Sequence, residues 1–184
     1  APQALVVLDE AYVHYSETPG YVHLAGEYEH LAVLRTFSKV FGLAGLRIGF
    51  GVAPPMVIDA LLAIKTTWNM GQLQIAGAVA ALDDHDHLDR TIKTIVESRS
   101  YVQGRFEELD RFRMVPDSRS NFFLIEILDP DTDSTRIFDG LLERGVIVKD
   151  GSVSFRGLSK SFLRSDLNFT QHMDHLVDAL ADIP

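Results

Sequence analysis

The sequence predicts an α/β fold that passes into a smaller α+β unit, and three observations predict it. Short apolar, β-rich runs alternate with helical periodicity through the first half. A long amphipathic helix then interrupts that pattern, and strands cluster in the remainder. The composition, 46% hydrophobic and 23% charged over 184 residues, suffices for a real core in one domain or two small ones.

The elements follow in order. Ala4–Leu8 (ALVVL) is short, apolar and ended by Asp9-Glu10, as expected of a buried, parallel-type core strand. A polar stretch with Pro19-Gly20 leads to a second strand, Leu31–Arg35, followed at its carboxyl end by Thr36-Phe37-Ser38-Lys39. Leu46–Val52 reads as a third strand, stopped by Pro54-Pro55, and the proline pair starts a helix through MVIDALLAIKTTWNM. Gln72–Leu82 is an almost wholly apolar helix and is expected to be buried, and an amphipathic helix runs from about His87 to Leu109. Beyond it, Arg113–Val115, Asn121–Ile127, Val146–Val148 and Phe162–Asp166 read as strands. Helices cover Thr135–Arg144 and Thr170–Ala181, with Thr170 as the expected N-cap of the last. The boundary falls inside the long helix, near residues 95–110, giving a first domain over 1–100 and a second over 101–184.

Composition excludes several functions. The chain carries 17 Lys plus Arg against 26 Asp plus Glu, a formal charge of −9, and no basic run, so nucleic acid and anionic membrane surfaces are excluded as partners. It has no cysteine, which removes disulfides, thiolate zinc sites and iron–sulfur clusters. No apolar run approaches the ~20 residues that cross a bilayer. The chain opens Ala1-Pro2-Gln3-Ala4 without Met and runs directly into a strand, as expected of a processed chain or a fragment. A small-molecule substrate is the class that survives.

The chemistry-bearing residues cluster at the carboxyl ends of the first two strands, where open α/β sheets bind ligands. Asp9 ends the first strand, Tyr12 lies three residues on, and Lys39 sits just past the second. Lys39 could be a Schiff-base lysine, Asp9 could hold a protonated ring nitrogen, and Tyr12 could hold a phenolate oxygen. Ser38 and Arg47 could grip a phosphate, the arginine with its fork. Lys, Asp, hydroxyl and Arg are the groups that pyridoxal phosphate demands. Taken singly, each has a plainer reading as a cap, a turn or an exposed loop. The glycines at 42, 45, 49 and 51 match neither a dinucleotide fingerprint nor a P-loop. The acidic and imidazole run Asp83–Asp89 reads as a solvated junction between helices rather than a metal site.

LDEAYVHYS followed by LRTFSKVFGLAGLRIGF resembles the middle of the histidinol-phosphate aminotransferases, a branch of the fold-type-I pyridoxal-phosphate enzymes. The resemblance continues through Trp68-Asn69, SRSNFFLIEI, LLERGVIVKDG and FLRSDLN and so covers the chain. It implies part of the large, cofactor-binding domain, with a mixed, mostly parallel sheet, followed by the small C-terminal domain. It implies that Asp9 pairs with the pyridinium nitrogen, that Tyr12 contacts the ring's 3-oxygen, and that Lys39 holds the cofactor covalently and then moves the proton. Ser38 and Arg47 would bind the phosphate, and Arg164 the substrate's anionic group. Lys149 stands where the family often has Arg, so a second anion contact would be weaker or differently shaped; Arg156 could add a cation.

The resemblance further implies an amino donor, histidinol phosphate, and a 2-oxo acid acceptor, 2-oxoglutarate, in cytoplasmic histidine biosynthesis by a homodimer. The family's N-terminal arm and the loop that feeds N–H groups to the phosphate have no counterpart here. The chain therefore looks like the C-terminal half of such an enzyme and is expected to be inactive alone. Alternatives are a threonine-phosphate decarboxylase or aromatic aminotransferase of the same fold, or an inert half-enzyme serving as an interaction piece. Decarboxylase relatives tend to have Pro where this chain has Ala44, which favours the aminotransferase.

Overall fold

The computed structural model describes residues 4–184; Ala1, Pro2 and Gln3 lie outside the described residues. The chain forms two compact units that divide between Ile92 and Lys93.

The first unit is built on a three-stranded sheet in the order β1 (Val6–Asp9), β2 (Leu31–Thr36), β3 (Gly49–Val52). β1 runs parallel to β2 in the register Val6↔Leu31 to Asp9↔Leu34, and β3 runs antiparallel to β2. The sheet is therefore mixed. β1 was expected to be buried, but it is an edge strand with Val6 and Val7 exposed, because no strand pairs on its outer side among the described residues. The third strand is shorter than expected: Ala44–Leu46 forms a 3-10 turn, and Arg47 takes a left-handed conformation that ends any extended run there.

The helices form where their periodicity puts them, but the burial differs. α1 (Pro55–Ile64) starts on the proline pair and stops before Lys65, so the following Thr-Thr-Trp-Asn-Met stretch is not helical and Trp68 is 92% exposed. α2 (Gln72–Asp83) was expected to be buried; only Ala78 is, and Leu73 is 81% exposed. An apolar helix is buried only where something covers it, and in this unit cover exists on one narrow stripe. There Phe37, Ile48 and Ala78 form a small core, joined by Phe41, Leu43, Leu46 and Ala81. A Cβ at Gly77 would come within 2.7 Å of Leu46, so two small residues let α2 press on the segment before β3. α3 (His85–Phe106) begins two residues earlier than expected because the Asp84 carboxylate accepts the His87 N–H at 3.0 Å.

The second unit is an antiparallel four-stranded sheet in the order β4 (Phe112–Met114), β5 (Phe122–Ile127), β7 (Phe162–Asp166), β6 (Lys149–Asp150), with α4 (Ser134–Glu143), the short α5 (Gly151–Ser154) and α6 (Thr170–Ala181). Phe123, Ile125, Ile137, Leu141, Leu163, Leu176 and Leu180 are almost wholly buried and form its core. The strand expected at Val146–Val148 lies three residues later, at Lys149–Asp150, since only those two residues reach the β7 register. Thr170 is the first helical residue rather than the cap; Phe169 holds the N-cap position without a side-chain bond.

Asp150 ties this unit together. Its carboxylate, 6% exposed, accepts from Ser134 Oγ at 2.6 Å, Thr135 Oγ1 at 2.8 Å, Ser152 Oγ at 2.8 Å and the Ser152 N–H at 2.9 Å. Burial pushes this carboxyl up, but the hydroxyl and N–H donors outweigh it and hold it at about 2. A carboxyl depressed below its ordinary 3.8 adds stability above that pH, and the contribution is lost as pH falls through about 2. Asp150→Ala is expected to destabilise the second unit by about 3 kcal/mol, because it leaves the buried Ser134 hydroxyl unpaired. Urea unfolding at neutral pH measures this, and the gap between parent and variant should narrow as pH is lowered from 4 towards 2.

Candidate active site

Parallel pairing brings the carboxyl ends of β1 and β2 to one edge of the sheet, and the chemistry-bearing residues of the first unit sit there. Past Thr36 the chain turns sharply. The Ser38 N–H donates to Thr36 Oγ1 at 3.0 Å, Gly42 N–H to the Lys39 carbonyl at 2.9 Å, and Leu43 N–H to the Phe37 carbonyl at 3.0 Å. Gly42 has φ +70°, a conformation that glycine adopts without strain. With Phe37 and Leu43 held against α2, this turn presents Lys39 half-buried. The Lys39 amine lies 4.9 Å from the centroid of the Tyr12 ring. Among the described residues no carboxylate pairs with it.

Arg47 and Ser38 are also brought together, with the guanidinium donating to Ser38 Oγ at 3.4 Å and to the Ala44 carbonyl at 2.9 Å. Arg47 has φ +52°, which costs a non-glycine residue about 1 kcal/mol. Asp9 stands exposed at the end of β1; one carboxylate oxygen takes the Ala11 N–H at 2.9 Å, and the other has no hydrogen-bond partner among the described residues. Asp9 is thus placed at the same sheet edge, but its bond is to its own turn and not to Lys39 or Tyr12.

The residues beneath this edge escaped the sequence reading. Glu10 is 5% exposed and pairs with Arg35 of β2, accepting at 2.9 Å from Nε and at 2.8 Å from a terminal nitrogen. Its other oxygen accepts the Tyr21 N–H. A Cβ on Gly20, at φ +73°, would meet Arg35 at 2.7 Å and both Glu10 oxygens at 3.0 Å. A charged residue inside the apolar run LAVLR was the available signal, since an arginine in a strand needs a buried partner or a path to water. Tyr15, 2% exposed, has its phenol pushed up to about 12 by burial and by the nearby Tyr12.

In the second unit Lys149 and Arg164 are register partners across β6 and β7, so their side chains share a face. Both line a cavity of about 450 Å³ together with Asn168, His172 and His175. The Arg164 guanidinium stacks 4.0 Å from the centroid of Phe122, with Phe155 at 5.9 Å, and donates to Asp166 at 3.0 Å. Its buried Nε has no hydrogen-bond partner among the described residues. Arg156 is exposed in the turn after α5 and does not line this cavity. Among the described residues no group of His, Asp and Glu is arranged to hold a metal, the Asp83–Asp89 run included, and no helix is long and apolar enough to cross a membrane.

The family described as "Aminotransferase class I and II" matches residues 1–180. The histidinol-phosphate aminotransferase of Methanopyrus kandleri is 33% identical over 181 residues, covering 98% of this chain and 46% of that protein. The solved histidinol-phosphate aminotransferase of Sinorhizobium meliloti, in complex with pyridoxal-5'-phosphate, superposes with a TM-score of 0.85 at 26% identity, over 100% of this chain and 49% of that one. L-threonine-O-3-phosphate decarboxylase from Porphyromonas gingivalis shares the fold with a TM-score of 0.87 at 24% identity, over 98% of this chain and 55% of that one. The chain spans about half the length of these relatives. With the family match running almost end to end, the chain belongs to the class I and II aminotransferases and carries part of their α/β fold.

Proposed function

We propose that this chain supplies the catalytic lysine and the anion-binding arginine of a pyridoxal-phosphate-dependent transamination of histidinol phosphate with 2-oxoglutarate, a step of cytoplasmic histidine biosynthesis carried out by a homodimer. The observation that carries the reading is the Lys39 amine, half-buried over the Tyr12 ring with no carboxylate to neutralise it among the described residues. An amine so placed is available for covalent work rather than for an ion pair.

The donor set fits the cofactor. Ser38 and Arg47 form a hydroxyl–guanidinium pair suited to a phosphate, and the free oxygen of Asp9 suits a protonated ring nitrogen. Bound there, pyridoxal phosphate supplies an electron sink for the carbon that loses a proton. Lys39 then serves as the base that takes that proton and returns it, Asp9 keeps the ring nitrogen charged, and Tyr12 holds the ring oxygen. Arg164, held over the Phe122 ring, and Lys149, its register partner, offer two cations on one face for the anionic end of the amino donor and of the 2-oxo acid. The names of the relatives support histidinol phosphate as the donor.

Borohydride reduction of the protein mixed with pyridoxal phosphate, followed by peptide mapping, tests the reading. The phosphopyridoxyl group is expected on Lys39. Labelling of Lys65, Lys93, Lys149 or Lys160 in its place would overturn it.

A further inference from the structure

We infer that Glu10 and Arg35 are positioning residues that act through Tyr12, their buried ion pair holding the ring under the Lys39 amine. This rests on the reading of Lys39 as the reactive lysine. Tyr12 belongs to the polar excursion between β1 and β2, whose regular structure is confined to short 3-10 turns at Val13–Tyr15 and Val22–Gly26. Such a segment keeps a fixed path only where something pins it.

The pinning is at Glu10 and at Gly20-Tyr21. Glu10 leaves β1 through its N–H, which donates to the Leu34 carbonyl at 2.8 Å, and its side chain turns in to the Arg35 fork. The returning chain closes over the pair at Gly20, and the Tyr21 N–H completes the carboxylate's bonding. The first half of the excursion, from Glu10 to Tyr21, is thus a loop closed by one carboxylate, with Tyr12 two residues beyond Glu10. The inner side of the loop is braced as well. His14 packs edge-on against Phe41, ring centroids 5.3 Å apart, and Phe41 packs on Phe37 at 4.9 Å, both in the turn that carries Lys39. Burial and the Arg35 guanidinium hold the His14 imidazole below the usual histidine range, against the opposing pull of Glu10. The ion pair, the loop and the lysine turn are therefore one packed unit, and the amine–ring distance is its output.

Competitive acetylation of the 184-residue chain at a single pH, read by mass spectrometry as the ratio of Lys39 to Lys65 modification, tests this. Lys65 lies in the same unit beyond α1 and is exposed, so it serves as the internal standard. Glu10→Gln is expected to raise the ratio about threefold to fivefold as the amine is freed from the ring, the size of a partly exposed cation–π contact. Tyr12→Leu should raise it by a similar factor. The double variant should match Tyr12→Leu alone, since a residue acting through Tyr12 has nothing left to act on.

A ratio unchanged in Glu10→Gln, or single effects that multiply in the double variant, would overturn the inference, because a merely structural Glu10 predicts one or the other. If Glu10→Gln loses its circular-dichroism melt, Arg35→Lys, which keeps the charge and loses the fork, takes its place with the same outcomes. The acetylation uses no cofactor. Its failure is therefore distinct from a failure of the borohydride mapping.

Discussion

Asp9→Asn is expected to lower turnover at least ~100-fold in an enzyme completed by fusing this chain behind the first half of the Methanopyrus kandleri relative. Affinity for pyridoxal phosphate should fall only modestly, as read by absorbance titration. The structure makes this a clean substitution. The Asn side-chain oxygen can keep the bond to the Ala11 N–H, so the local turn survives. What is lost is the charge on the other oxygen, the one with no partner among the described residues. An amide cannot hold a proton on a ring nitrogen, and the resulting loss falls on the rate rather than on binding. Turnover within a few-fold of the parent would assign Asp9 to the turn alone.

Gly20→Ala is expected to destabilise the first unit by about 1–3 kcal/mol, the cost of a left-handed backbone under a side chain together with crowding of a buried charge pair. Two effects act in the same direction. The left-handed φ of +73° disfavours any residue with a Cβ, and that Cβ would sit 2.7 Å from the Arg35 guanidinium and 3.0 Å from the Glu10 oxygens. Chemical denaturation with circular dichroism measures the loss. A shift under about 1 kcal/mol would mean that the Gly20 turn relaxes away from the pair.

Much of this was legible in the sequence because it is written in local chemistry. The order of strands and helices followed from periodicity and from the proline pair, and β7 and α6 fall on the expected residues because their apolar faces are covered within the chain. Burial in the first unit was not legible, since an apolar strand or helix reads the same whether or not it has cover. β1 and α2 are the two cases. Lys39, Tyr12, Ser38 and Arg47 were singled out because each bears recognisable chemistry near a strand end, and the structure brings Lys39 to Tyr12 and Arg47 to Ser38. Glu10, Arg35 and Gly20 were not, because their relation depends on contacts across 25 residues of sequence and on a backbone angle that no side chain announces. The pairing of Lys149 with Arg164 likewise depends on strand register, which puts the strand at Lys149–Asp150 rather than at the expected Val146–Val148.

Asp9 and Glu10 carry the same charge one residue apart, yet one stands exposed and the next is buried against Arg35. The pleat sorts two acids of nearly equal chemistry into two jobs that cannot be traded. Exchanging them would put the shorter carboxylate into a cavity cut for the longer one and swing the longer one out past the sheet edge. For directed evolution, positions 9 and 10 thus behave as a single two-letter word with fixed spelling and order. A library that randomises the two together will return the same word.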